Sequence, residues 1–66
     1  MNEQERMLTA LDLLAGDRVA DDFTAWAEVV TVEHVPMGVR VEWLLADGKR
    51  EVTTYRSDDR FTVVPS

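Results

Sequence analysis

The clearest indication of the fold is the segment Val39-Arg40-Val41-Glu42-Trp43, because apolar and charged side chains alternate along it. Successive side chains of a β-strand point to opposite faces of a sheet, so this alternation predicts a strand with one buried face. Asp47-Gly48 follows, and an Asp-Gly pair is a strong signal for a tight hairpin turn. We therefore expect the chain to reverse there and to pair back along residues 51–56.

Three more strands are predicted around this hairpin, over residues 18–20, 28–35 and 60–64, each a short run rich in β-formers. Pro36-Met37-Gly38 is typical of a turn, since proline presets φ and glycine closes the reversal. Five short strands laid out flat would leave one face wet and two edges open, whereas bending them encloses a core. The sequence thus predicts a mainly β fold, a five-stranded small barrel. Its expected core residues are Val19, Val29 or Val30, Val32, Val39, Val41, Trp43, Phe61 and Val63.

The first fifteen residues have a different pattern. Met7, Leu11 and Leu14 recur at helical spacing, with Ala10 on the same face. Good helix formers surround them, and Gly16 is a suitable terminator. We predict a short amphipathic helix over residues 3–14 that caps one end of the barrel. The alternative is that residues 11–14 are already extended and lead directly into the first strand.

The strand register after Asp47-Gly48 is open between two alternatives. If this pair is a two-residue turn, Trp43 lies opposite Val52 and Arg40 lies opposite Tyr55, which puts Tyr55 on the outer face. Arg40 can then stack on the ring of Tyr55. A shift by one residue would instead bury Tyr55 and expose Val52.

Length and composition limit the class of protein. A chain of 66 residues without cysteine is one domain of marginal stability, here assigned as residues 1–66, with the helix in 1–15 and the barrel in 16–65. Its apolar fraction of 45% is that of a globular protein. No apolar run approaches the roughly 20 residues that cross a bilayer, and the N-terminal residues do not resemble a signal peptide. We expect a cytoplasmic protein that does not bind membranes.

The residues that most often carry chemistry do not form a recognisable set. His34 is the only histidine, and its neighbour Glu33 would point to the other face of a strand. The acid pairs at residues 21–22 and 58–59 fall in turns, where aspartate commonly accepts turn hydrogen bonds. The glycines are too far apart for a phosphate-binding loop. We therefore expect no enzyme, no metal site and no cofactor.

Several features together resemble the SH3-like small barrels, the broad group that includes Tudor and KOW modules. They are Gly16-Asp17-Arg18-Val19, Trp26 before a valine-rich strand, Val39-x-Val41-x-Trp43, Asp47-Gly48, Tyr55 and Val63-Val64-Pro65, spread over residues 16–65. The resemblance implies a small barrel that binds peptides, modified side chains or nucleic acids. It assigns no functional residue.

The favoured hypothesis is a non-enzymatic module that binds a protein or peptide. Its candidate contact residues are the loop aromatics and an outer patch, namely Phe23, Trp26, Arg40, Leu44 and Tyr55. In an alternative interpretation, two of these aromatics simply cover an end of the barrel.

Two other functions remain open. One is binding or mimicry of nucleic acid; a net charge of −6 opposes contact with a phosphate backbone, although a local basic patch is possible. Its candidate residues are Arg40, Lys49, Arg50, Arg56 and Arg60. The other is a structural homodimer through the stripe of Met7, Leu11 and Leu14.

Overall fold

The computed structural model of the chain describes residues 6–20 and 26–64. Within these ranges the protein is mainly β, with all strand pairs antiparallel in one sheet. The strands are β1 (Arg6–Thr9), β2 (Arg18–Ala20), β3 (Trp26–Val35), β4 (Gly38–Leu45), β5 (Arg50–Tyr55) and β6 (Arg60–Val64), and a 3₁₀-helix (Ala10–Asp12) follows β1. Their order across the sheet is β1-β6-β2-β3-β4-β5. The predicted mainly β class is confirmed.

The five predicted strands are present as β2 to β6, with small changes at their ends. β3 begins at Trp26 and not at residue 28, and Gly38 is the first residue of β4 because Pro36 and Met37 alone form the turn. Val35 lies opposite Gly38 in the register. In the part of the chain that the structure describes, no helix has the length and apolarity to span a bilayer.

The predicted helix over residues 3–14 is wrong where the structure describes it. Residues 6–9 form β1, which pairs with β6 so that Leu8 lies opposite Phe61, and the 3₁₀-helix is a single turn. Because a strand has a period of two, Leu8 turns inward and Met7 stays 63% exposed. Residues 3–5 lie outside the described ranges.

The described residues therefore form no helical face that joins Met7, Leu11 and Leu14, and a homodimer through these three side chains stays a prediction. Met7, Leu11 and Leu14 are exposed, whereas Ala10 and Leu13 are buried. The Ala10 amide donates to the carbonyl of Asp59 (2.8 Å), which fixes the 3₁₀-helix against the turn before β6. Leu13, which follows the 3₁₀-helix, is 1% exposed and belongs to the buried core cluster.

The remaining core follows the prediction closely. Val32 and Phe61 are partly buried and pack against the buried cluster, and Val29 is buried where the sequence left Val29 and Val30 as alternatives. A β-bulge between Val29 and Thr31 interrupts the alternation of side chains at Val30. The buried residues within the described ranges are Ala10, Leu13, Val19, Val29, Val39, Val41, Trp43 and Val63.

The β4–β5 hairpin adopts the shifted register. The Leu45 amide donates to the Lys49 carbonyl (2.8 Å), which leaves a three-residue loop, and Gly48 has a φ of +89°. Such loops combine a turn with a glycine bulge, and the additional residue moves the pairing by one position. Trp43 therefore lies opposite Glu51, Val52 is exposed, and Tyr55 is on the inner face opposite Val39.

Candidate binding site: the aromatic pocket

A concave pocket of about 260 Å³ opens on the inner face of the sheet. We call it the aromatic pocket, because three aromatic side chains, Trp43, Tyr55 and Phe61, form much of its wall. They come from three strands, β4, β5 and β6. The other lining residues are Val19, Ala20, Ala27, Leu45 and Glu51.

The three rings support one another at fixed angles. Tyr55 and Phe61 meet edge to face, with 4.9 Å between ring centroids and an angle of 86° between planes. The ring centroid of Trp43 lies 6.1 Å from that of Tyr55, with the planes nearly perpendicular, and 5.8 Å from that of Phe61, with the planes tilted. Edge-to-face pairs of this kind contribute about 0.5–1.5 kcal/mol beyond the area that they bury. The wall is therefore preformed and not a loose collection of side chains.

The polar atoms of the wall are already paired with each other. The indole Nε1–H of Trp43 donates to the hydroxyl oxygen of Tyr55 at 3.0 Å. This bond satisfies the donor of an indole that is 95% removed from solvent, since Trp43 is only 5% exposed. What the aromatic pocket offers to a ligand is thus mainly apolar surface and the faces and edges of rings.

One carboxylate completes the site. Glu51 lies on β5 opposite Trp43 and is exposed to solvent. It is the one formally charged side chain among the described residues that line the aromatic pocket. The site therefore combines a π-rich wall with a negative charge at its rim.

The predicted contact residues are not brought together. Trp26, Arg40 and Leu44 lie on the outer face, whereas Tyr55 lies on the inner face in the aromatic pocket. Phe23 falls outside the described residues. Stacking of Arg40 on Tyr55 does not occur; that interpretation depended on the two-residue turn, and the three-residue loop places Thr54 opposite Arg40.

The outer face has contacts of its own. The guanidinium carbon of Arg18 lies 4.7 Å from the ring centroid of Trp26, a cation–π arrangement. Arg40 donates from Nε and Nη2 to Glu33 (3.2 and 2.8 Å). Trp26 is 40% exposed and remains available for contact.

The five basic candidates for nucleic-acid contact do not form one patch. Arg40 and Arg50 are engaged by Glu33 and Glu42. Lys49 and Arg56 lie at opposite ends of β5, about 23 Å apart at the rise of an extended strand. Arg60 begins β6, across the turn from Arg56. The five side chains are therefore not gathered into one cluster, and contact with nucleic acid stays a prediction.

The aspartate and histidine residues that could carry chemistry lie in a turn and near the end of a strand. Asp59 accepts from the Arg56 amide through its carboxylate (3.0 Å), as a turn aspartate does. His34 is exposed near the end of β3. Within residues 6–20 and 26–64, no group of three potential metal ligands is clustered. The pair at residues 21–22 lies outside the described residues.

Every aromatic residue of the pocket wall stands out in the sequence, but nothing in the sequence joins the three into one site. Trp43 and Phe61 were assigned to the core and Tyr55 to the outer face, so the pocket itself was missed. The face on which Tyr55 and Glu51 lie depends on the length of the loop at Asp47-Gly48, since one additional residue moves both side chains to the inner face. An Asp-Gly pair fits both loop lengths.

The comparisons with known proteins leave the family open. No protein-family model matches the chain, and no curated protein and no solved structure is significantly similar to it. What the aromatic pocket binds has therefore to be inferred from the chemistry of its own walls.

Proposed function

We propose that this protein is a non-catalytic module that binds a protein or peptide, and that the aromatic pocket receives an anchor side chain of that partner. The observation that carries the proposal is the preformed wall of Trp43, Tyr55 and Phe61 around an open concave site. Binding sites are characteristically concave and mostly apolar, with a few polar groups that fix orientation. Glu51 is such a group here.

The chemistry of the wall favours a cationic anchor. Aromatic rings attract cations through their quadrupole, and a nearby carboxylate adds a direct charge interaction. The net charge of −6 acts in the same direction, because it raises the encounter rate with basic segments. An arginine or lysine side chain, with an apolar stem and a charged end, matches this combination.

The fold that we propose for this site is an SH3-like barrel. β2 to β5 form a meander, and β6 returns to pair with β2, the first strand of that meander. The rings of Tyr55 and Phe61 join β5 to β6, the two outer strands of the five-strand order β6-β2-β3-β4-β5. Such a contact requires a curved sheet, and closing these five strands into a barrel would enclose the core that the sequence predicted.

The test is to fill the aromatic pocket without removing any of its aromatic rings. Peptides that bind the wild-type protein would be selected from a phage-displayed random heptapeptide library, and their affinity measured by isothermal titration calorimetry. Ala27→Leu adds apolar volume inside the pocket, and we expect it to weaken the selected peptides at least about tenfold, a change of about 1.4 kcal/mol. The matched control is Ala46→Leu, which makes the same change in the β4–β5 loop.

Two further variants separate binding from folding and test the anchor. Leu45→Phe enlarges a half-buried lining side chain that lies opposite Ala27, so it serves if Ala27→Leu disturbs the fold. Glu51→Gln keeps the shape of the rim and removes its charge, and it should weaken peptides with a basic anchor more than Glu33→Gln does. Selected peptides that bind both filled variants as tightly as the wild type would overturn the proposal, as would a selection that enriches no peptide.

A further inference from the structure

The free edge of β5 has the properties of a pairing surface. Among the described residues, β5 forms a ladder only with β4, so its other edge has no strand beside it. The hairpin bond between Leu45 and Lys49 fixes the alternation of the ladder. Bonded pairs recur at every second residue, so the N–H and C=O groups of Arg50, Val52 and Thr54 point away from β4 and towards this edge.

This edge has only part of the protection that natural sheets give to their edges. Exposed edge strands commonly carry charged side chains, above all lysine, or proline, contain a bulge, or are very short. On β5 the charged side chains are Arg50 and the inward-facing Glu51, both at one end of the strand. β5 has six residues, its register with β4 is unbroken, and its centre is the β-branched run Val52-Thr53-Thr54. Val52 is 60% exposed. β1, at the other edge, is a strand of only four residues.

We propose that β5 pairs with β5 of a second copy, antiparallel across a two-fold axis at Val52. The outward N–H and C=O groups of one copy can bond only to the outward groups of the other. A two-fold pairing therefore has to place residues 50, 52 and 54 of one copy opposite members of the same set in the second copy. In this register Val52 faces Val52 of the other copy, and Arg50 faces Thr54. Each copy then donates three amides, which gives about six backbone hydrogen bonds across the axis.

The charges of β5 select this register over its neighbours. Moving the axis to Glu51 places that carboxylate opposite its own copy. Moving it to Thr53 places Arg50 opposite Arg56 of the second copy. Like charges directly opposite each other destabilise a strand pair, and the register centred on Val52 avoids both conflicts.

The small size of the core also favours pairing with a second copy. Eight buried side chains form the core of the described residues, with no cysteine to cross-link it, and association is one of the few ways in which so small a core gains stability. The pairing uses backbone groups and Val52, none of which lines the aromatic pocket. The inference is therefore independent of the proposed peptide binding.

The absence of native cysteine makes a direct test possible. With Val52→Cys, the two thiols meet at the axis, where bonded pairs have Cα atoms about 5.5 Å apart, within the disulfide range. Mild oxidation should convert most of this variant to a covalent dimer. Thr54→Cys is the matched control, because its two copies lie about 14 Å apart along the strands and should not cross-link.

Mass measurements on variants without cysteine complete the test. In size-exclusion chromatography with light scattering, the wild-type mass should rise with concentration from 7.5 kDa towards about 15 kDa. Val52→Lys places two charges at the axis and should remain monomeric. Thr53→Lys places lysine opposite Glu51 of the other copy, so its dimer should persist to concentrations at least about threefold lower.

These outcomes decide the inference. A wild-type protein that stays at 7.5 kDa up to millimolar concentration would overturn it, as would trimers or larger assemblies. Equal cross-linking of Val52→Cys and Thr54→Cys would overturn the register. Circular dichroism on each variant shows that it is folded, and Thr53→Lys gives a gain of association that unfolding cannot imitate.

Discussion

The backbone of Gly38 passes so close to β5 that a Cβ atom there would collide with the carbonyl oxygen of Tyr55. Its φ is +145°, a conformation that other residues rarely adopt. Gly48 also has a positive φ, but a Cβ at that position would meet nothing within 4 Å. A substitution at Gly48 therefore tests backbone strain alone, whereas a substitution at Gly38 tests strain together with steric contact.

We expect Gly38→Ala to lower the free energy of unfolding by about 3 kcal/mol, from strain of about 1–3 kcal/mol together with the collision. Gly48→Ala should cost only about 1–2 kcal/mol, because strain acts there alone. Equilibrium urea unfolding followed by circular dichroism measures both. Equal losses for the two variants would show that the approach of β5 to Gly38 is not tight.

At the scale of elements, the segment from β1 to the 3₁₀-helix offers a pair of adjacent leucines in opposite environments. Leu13 is 1% exposed and Leu14 is 68% exposed. Leu13→Ala should lower the free energy of unfolding by about 2–5 kcal/mol, as buried leucine truncations do. Leu14→Ala should change it by less than about 0.5 kcal/mol. A larger loss for Leu14→Ala, measured in urea, would favour the amphipathic helix after all.

The strands could be predicted from the sequence because each carries its own signal. Alternation along residues 39–43 marks one buried face, and turn residues mark the ends of the neighbouring strands. The N-terminal segment could not be assigned in this way. Its apolar residues fit a helical period, but pairing with β6 and the hydrogen bond from Ala10 to Asp59 outweigh that local preference.

The aromatic pocket could be predicted only in part, since its wall depends on a choice that is not local. Whether Tyr55 lies inside or outside follows from one residue of loop length at Gly48. Packing favours the shifted register, because it brings the hydroxyl of Tyr55 to the buried indole N–H of Trp43, which would otherwise have no hydrogen-bond partner. No pattern within residues 47–56 contains that information.

At the scale of the whole molecule, stability should decrease from the middle of the sheet to its edges. β3 and β4 lie between other strands and hold buried valines, whereas β1 and β5 are the outer strands of the order. Amides that open only with global unfolding exchange slowest, and those at frayed or exposed positions exchange fastest.

We expect hydrogen exchange followed by NMR at low protein concentration to show this gradient. Amides of β4 that bond to β3 should be protected most, and those of Arg50, Val52 and Thr54 on the free edge should be protected least. Raising the protein concentration should protect these three selectively, because pairing across Val52 engages the same groups. A uniform rate over all strands would contradict the gradient.

The three rings of the aromatic pocket also give the protein an optical signal of its own. Trp43, Tyr55 and Phe61 are held at interplanar angles of 87°, 51° and 86°. Aromatic chromophores in fixed asymmetric packing produce near-ultraviolet circular dichroism, which is lost when packing loosens even if the sheet persists. The near-ultraviolet spectrum will thus report on the wall of the pocket and the far-ultraviolet spectrum on the sheet, so a ligand that rearranges the rings is distinguishable from a change that unfolds the chain.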